Sequence, residues 1–190
     1  MPRYAINYPA IMSDLRGQPL AAVKDRLAAL LPDLWCEAYT TMSRGSVGIV
    51  EVPLDSYIYL FDMTRERVVV AYGTSAPNPE KRDSSRMAGW LGKISDRFRG
   101  RGDKGHGMSH RQGGGLDINL FPQRADVNRG RSEQGKHYRA LERYCATHAE
   151  TFCFSRLLYD NQDWVPNAVE YGVLKGARQF QVERFTNAPV

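Results

Sequence analysis

Cysteine is scarce in this sequence: Cys36, Cys145 and Cys153 are an odd number with no CxxC pair. That pattern implies no disulfide framework and suits a reducing compartment. Long apolar runs are also missing, and no stretch approaches the roughly 20 residues of a membrane span. Residues 1–9 (MPRYAINYP) lack the basic start and apolar core of a secretory signal. A soluble protein without a signal peptide is the expectation. There is no internal repeat and no HExxH metalloprotease motif.

What is present is aromatic and basic. Three Trp, ten Tyr and seven Phe in 190 residues, with 42% hydrophobic residues, argue for a folded globule. The length suits one domain over 1–190, divided into an N-terminal extension (1–45) with one helix and a core over about 46–175. The net charge of +5 is unevenly spread. Between Glu80 and Arg143 fifteen Lys/Arg face eight Asp/Glu, so the rest of the chain is slightly acidic. A cationic middle in a near-neutral frame fits a polyanion-binding face, although a lopsided solvated surface would give the same composition.

Periodicity supplies the elements. Leu20, Val23, Leu27, Leu30 and Leu31 recur at helical spacing after Pro19 and before Pro32, which predicts a core-facing helix ending there. Residues 46–52, 56–63 and 67–72 read as strands, the last two as a hairpin across Thr64-Arg65-Glu66. Residues 75–85 read as loop. A basic run, 93–104, leads into the glycine-rich stretch 105–115. A short strand over 116–121, a helix over about 132–149, and strands over 151–159 and 168–174 follow. The order implies an α+β fold with a central antiparallel sheet. The tripeptide Arg101-Gly102-Asp103 would permit a cell-adhesion reading, but such tripeptides arise often by chance.

The chemistry concentrates between Asp103 and Glu142. Phosphodiester hydrolysis needs a base for water, a divalent metal for the scissile phosphate and leaving oxygen, and often a cation for developing charge. His106 is the natural base near neutral pH, with Lys104 two residues away to favour the neutral imidazole. Gly105 and Gly107 leave room for a phosphate. An asparagine carbonyl is a hard, neutral ligand for Mg²⁺, which keeps most of its waters, so Asn119 and Asn128 are metal candidates and Glu142 could hold one of those waters.

The string DKGH, then INLFPQ, then VNRG with its asparagine nine positions after the first, then YRALE, resembles the DNA/RNA non-specific endonuclease family of ββα-metal (His-Me finger) nucleases. The likeness covers 103–142 closely and about 57–174 loosely, leaving 1–45 unexplained. It implies an embedded ββα-metal motif and a metal-dependent, sequence-nonspecific endonuclease of DNA and/or RNA yielding 5′-phosphate products. His106 would be general base, and Asn128 the direct ligand of Mg²⁺ or Mn²⁺. Glu142 would act on one of the ion's waters, and Lys104 would steady charge on the phosphate. Asn119 would support the loop around His106, while Pro122 and Gln123 would be structural. Arg101, Arg111, Arg124 and Arg129, with Arg97 and Arg99, would line a groove tracking the nucleic-acid backbone.

Three departures stand out. Lys104 replaces the family's arginine and loses its bidentate fork. About six extra residues, 131–136, separate Asn128 from Glu142. Tyr138 stands where tryptophan is usual. Related domains serve as bacterial toxins or defence nucleases, with an inhibitor (immunity) protein as partner. A cytoplasmic enzyme, or an effector delivered by a route not visible in the sequence, is therefore expected. A catalytically impaired nucleic-acid-binding protein on the same fold is the alternative. His110 is a rival base. A zinc site from the HxxxH pair His106/His110 with Cys145 or Cys153 is opposed by the glycines between the histidines. Asn128 could equally be a helix or turn cap, Glu142 a surface carboxylate, and His137 and His148 surface residues.

Overall fold

A computed structural model describes residues 5–43, 45–81, 83, 85, 87, 91–93, 98, 102–160, 163–177 and 179–188. Helix α1 (Tyr8–Asp14) is capped by Asn7, whose side chain accepts from Ala10 N–H. Helix α2 (Leu20–Met42) carries Val23, Leu27, Leu31, Trp35 and Tyr39 as its buried stripe. It does not end before Pro32, as the sequence leads one to expect, but runs ten residues past it. The proline deprives the Ala28 carbonyl of its helical partner. Buried packing on both sides, with Leu31 before and Trp35 after, outweighs that loss. The extension thus holds two helices rather than one.

The main sheet has six antiparallel strands: β1 (Ile49–Leu54), β2 (Tyr57–Asp62), β3 (Arg67–Thr74), β6 (Phe152–Leu158), β7 (Ala168–Lys175) and β8 (Gln179–Thr186), in the order β1-β2-β3-β6-β7-β8. Strands β4 (Gly102–His106) and β5 (Leu120–Arg124) pair antiparallel as a separate two-stranded sheet. The fold is α+β with a mostly antiparallel sheet. Several boundaries differ from expectation. The first strand begins at Ile49 and continues through Pro53, which an edge strand tolerates. Residues 116–119 are not strand, because the Asn119 side chain is committed to neighbouring backbone and pairing starts at Leu120. Strand β8 extends the sheet beyond residue 175.

Strand register fixes the layers. Tyr72 pairs with Phe154 and Phe154 with Gly172, so these share one face. Trp35 of α2 packs there, 4.8 Å from the Phe154 ring and 5.5 Å from the Tyr72 ring. Gly172 is required, since a Cβ there would lie 2.0 Å from the Phe154 ring. Tyr8 donates to Glu170, Trp35 donates to Tyr8, and Arg156 pairs with Glu170 at 2.9 Å, joining both N-terminal helices to β6 and β7. The opposite face carries Ala71, Ser155 and Tyr171. Helix α4 (Glu133–Thr147), after the short α3 (Ala125–Asn128), packs on it through Tyr138 against Tyr171 and Phe185. One apolar core runs from Tyr8 to Phe185 through both layers. Among the described residues no helix is long and apolar enough to cross a membrane.

Candidate active site

The chemistry-bearing residues sit on β4, β5, α3 and α4, in the layer opposite the N-terminal helices. Alternation along β4 puts Lys104 and His106 on one face and Asp103 on the other. Gly105 permits the tight approach of β5, because a Cβ there would fall 2.2 Å from the Gln123 side chain. His106 ends the strand and is buried, 4% exposed. Its carbonyl accepts from the Tyr138 hydroxyl at 3.2 Å, so α4 fixes the backbone at this position.

The loop after His106 is held by polar side chains that are themselves buried. Asn119 is fully buried; its Oδ1 accepts from Met108 N–H at 2.7 Å, and its Nδ2 donates to the Met108 and Gly115 carbonyls. Gln112 donates to Tyr171 at 2.7 Å, while Tyr57 donates to the Gln112 carbonyl. These bonds tether the glycine-rich stretch to the main sheet and satisfy groups that would otherwise be costly to bury.

Asp103 joins β4 to α3. Asn128 Nδ2 donates to its Oδ2 at 3.0 Å, and the Arg129 guanidinium grips both carboxylate oxygens, at 2.7 and 2.5 Å. Burial works against the Asp103 charge, but the hydrogen bonds from Arg129 and Asn128 outweigh it and hold the carboxyl below its ordinary pKa. With its nitrogen engaged, the Asn128 amide is oriented and its carbonyl oxygen is directed elsewhere. Glu142 lies one helical turn beyond Tyr138, on the same face of α4. It is buried and accepts from Arg139 at 2.9 Å. Lys104 donates to the Met87 carbonyl at 2.9 Å, and burial pulls its ammonium below the usual lysine value.

Tyr138 thus ties the His106 backbone to α4, the helix that carries Glu142, Asn119 holds the loop after His106, and Asn128 reaches β4 through Asp103, on the face opposite His106. The arginines are dispersed differently. Arg124 is bidentate with Asp126 at 2.9 and 2.6 Å, and Arg129 is engaged by Asp103. Arg111 is exposed and lines an open cleft of about 850 Å³ beside α4, together with His110, Glu142, Arg139, Arg143 and Lys81. Arg101, like Arg97 and Arg99, lies outside the described residues. His110 donates through Nε2 to the Glu80 carbonyl at 3.2 Å. His137 and His148 are exposed. Cys145 and Cys153 are buried in the core, and among the described residues no three His, Cys, Asp or Glu side chains are grouped to hold a metal.

Two residues to which the sequence assigns no role are structurally central. Asp103 is visible as the first residue of the DKGH string, and Tyr138 as the residue standing where tryptophan is usual. Neither signal discloses a hydrogen bond across elements. No family model and no curated protein sequence gives a significant match to the chain.

Proposed function

We propose that this chain is a metal-dependent, sequence-nonspecific endonuclease of DNA and/or RNA, with β4, β5 and the helices after them serving as a ββα-metal motif. The observation that supports it best is the Asp103–Asn128 hydrogen bond, which anchors the amide by its nitrogen and leaves a hard carbonyl oxygen as the donor. A single neutral protein oxygen, with a carboxylate one element away, fits a divalent ion that keeps its water. Asn128 would hold Mg²⁺ or Mn²⁺ directly and Glu142 through water; when bound, the ion supplies positive charge against the scissile phosphate and the leaving oxygen.

The protein's own groups then have simple tasks. His106 takes the proton from the water that attacks phosphorus. The P–O3′ bond breaks, the 3′ oxygen leaves and takes up a proton, and the phosphate remains on the 5′ side. Lys104, on the His106 face of β4, adds positive charge beside the reacting phosphate. Asn119 keeps the following loop, and therefore the imidazole, in place.

Digestion of plasmid DNA and total RNA with Mg²⁺, Mn²⁺ or EDTA tests this directly, with His106→Ala and His110→Ala alongside. The expected result is metal-dependent cleavage lost in His106→Ala and retained in His110→Ala. Loss only in His110→Ala would move the base to the cleft, and no cleavage with any metal would remove the enzyme reading. A second reading, a nucleic-acid-binding protein of restrained activity, draws on the ties between Glu142 and Arg139 and between Lys104 and Met87. A bacterial toxin or defence role, with an inhibitor protein as partner, goes with the enzyme reading. Cleavage blocked by the product of a neighbouring open reading frame would test that role.

A further inference from the structure

The cleft beside Glu142 lies between α4 and the segment 77–81, with the short helical turn at 110–112 forming part of its wall. Its volume of about 850 Å³ falls in the range of ligand-binding pockets, roughly 300–1,000 Å³. Cations dominate its lining: Lys81, Arg111, Arg139 and Arg143 stand against the carboxylates of Glu80 and Glu142. Lys81, Arg111 and Arg143 are exposed to solvent, whereas Arg139 is tied to Glu142. Among the described residues no Trp, Tyr or Phe lines it, and its one aromatic ring, the His110 imidazole, is buried and bonded to the Glu80 carbonyl. A groove that reads or stacks bases offers exposed aromatic planes. A groove of exposed cations without them offers contacts to phosphate oxygens, which carry no sequence information.

We infer that this cleft is a phosphate-tracking subsite. It holds the sugar–phosphate backbone of a nucleic-acid strand next to the scissile bond, through Lys81, Arg111 and Arg143, and reads no bases. The placement relative to the scissile bond rests on the nuclease reading; the binding itself does not. Arg124 and Arg129 are excluded as the principal track by their bidentate carboxylate partners. Pro77 and Pro79 give the opposite wall a stiff apolar surface against which sugars can lie.

Fluorescence anisotropy with a short labelled DNA oligonucleotide and its RNA counterpart, in EDTA and across a salt series, tests the subsite without cleavage. Lys81→Ala, Arg111→Ala and Arg143→Ala are compared with wild type and with Lys136→Ala. Lys136 is an exposed cation on α4 that lies outside the cleft lining and pairs with Glu133. Each cleft variant is expected to weaken binding equally across sequences. The slope of log affinity against log salt should fall by roughly 0.7 to 0.9 per lost contact. Lys136→Ala should keep the wild-type slope. Cleft variants with the wild-type slope, or a loss in Lys136→Ala as large as theirs, would overturn the subsite. Cleft-dependent binding with no turnover under any metal would keep the subsite and sink only the nuclease.

Discussion

Asp103 is the residue on which the metal-binding reading turns. Its carboxylate is shared between Asn128 and Arg129, so it orients the amide while its charge is balanced. Partners that orient a metal ligand change affinity by about 10- to 100-fold when removed. Asp103→Ala is therefore expected to weaken Mn²⁺ binding by about that factor, with activity recovering at high Mn²⁺. Electron paramagnetic resonance titration of free Mn²⁺ measures it, and an unchanged affinity would take the Asp103–Asn128 pair out of the site. The sequence discloses this part of the site unevenly. Residue types in motif order point to His106, Asn128 and Glu142. Asn119 reads as a support for the loop around His106, and the structure gives it three hydrogen bonds to Met108 and Gly115. Side-chain pairing across elements is another matter. Arg124 and Arg129 read in the sequence as cations of a backbone-tracking groove, and the fold adds their carboxylate partners, Asp126 and Asp103.

At the scale of elements, α3 and α4 must meet closely for Asn128 and Glu142 to serve one centre. Gly135, in the first turns of α4, makes that contact possible. A Cβ there would lie 2.4 Å from the Asp126 carbonyl oxygen and 3.0 Å from both Gly130 Cα and the Val127 carbonyl oxygen. All three are backbone atoms, so the two helices would have to separate. Gly135→Ala is expected to cost about 1–3 kcal/mol of stability, as overpacking does. It should also weaken metal binding, because α3 carries Asn128. Urea denaturation with a parallel Mn²⁺ titration checks both, and a variant as stable as wild type would show that the helices adjust freely. Elements with a strong period were legible: α4 starts within a residue or two of its expected bounds, with Ser132 as cap, and the β2–β3 hairpin lies where alternation and the polar turn place it. Local signals failed where tertiary packing overrides them. Pro32 is carried through α2 by its buried neighbours, and in the edge strand β8 the alternation of Phe180 and Val182 with Gln179, Gln181 and Glu183 breaks at Arg184, leaving a short signal.

Across the whole molecule, the N-terminal helices cover one sheet face and the candidate site lies on the other. Asp62 ties the first layer together. Fully buried at the end of β2, it accepts from Tyr39 of α2 at 2.6 Å, from Arg65 at 2.9 Å, and from the Gly48 and Thr64 amides. Arg67 adds to the network by donating to Tyr39 at 2.9 Å and lying 3.8 Å from the Tyr159 ring centroid. Burial alone would raise the Asp62 pKa; the bonds from Tyr39, Arg65, Gly48 and Thr64 outweigh it, and the folded-state value is lowered. A lowered folded pKa means that the unfolded chain binds the proton more readily. The stabilisation is then fully present above the unfolded value of about 3.9 and is lost as pH falls through the folded one. Thermal unfolding followed from pH 7 downward should therefore change little through this group until about pH 4, and fall below it. Asp62→Asn should start from a lower melting temperature, because the charged bonds to Arg65 and Tyr39 are weakened, but with a shallower acid limb. An acid limb as steep as that of wild type would place the acid sensitivity in other carboxylates, of which Asp103, Asp126 and Glu133 are the described ones also held below their ordinary values.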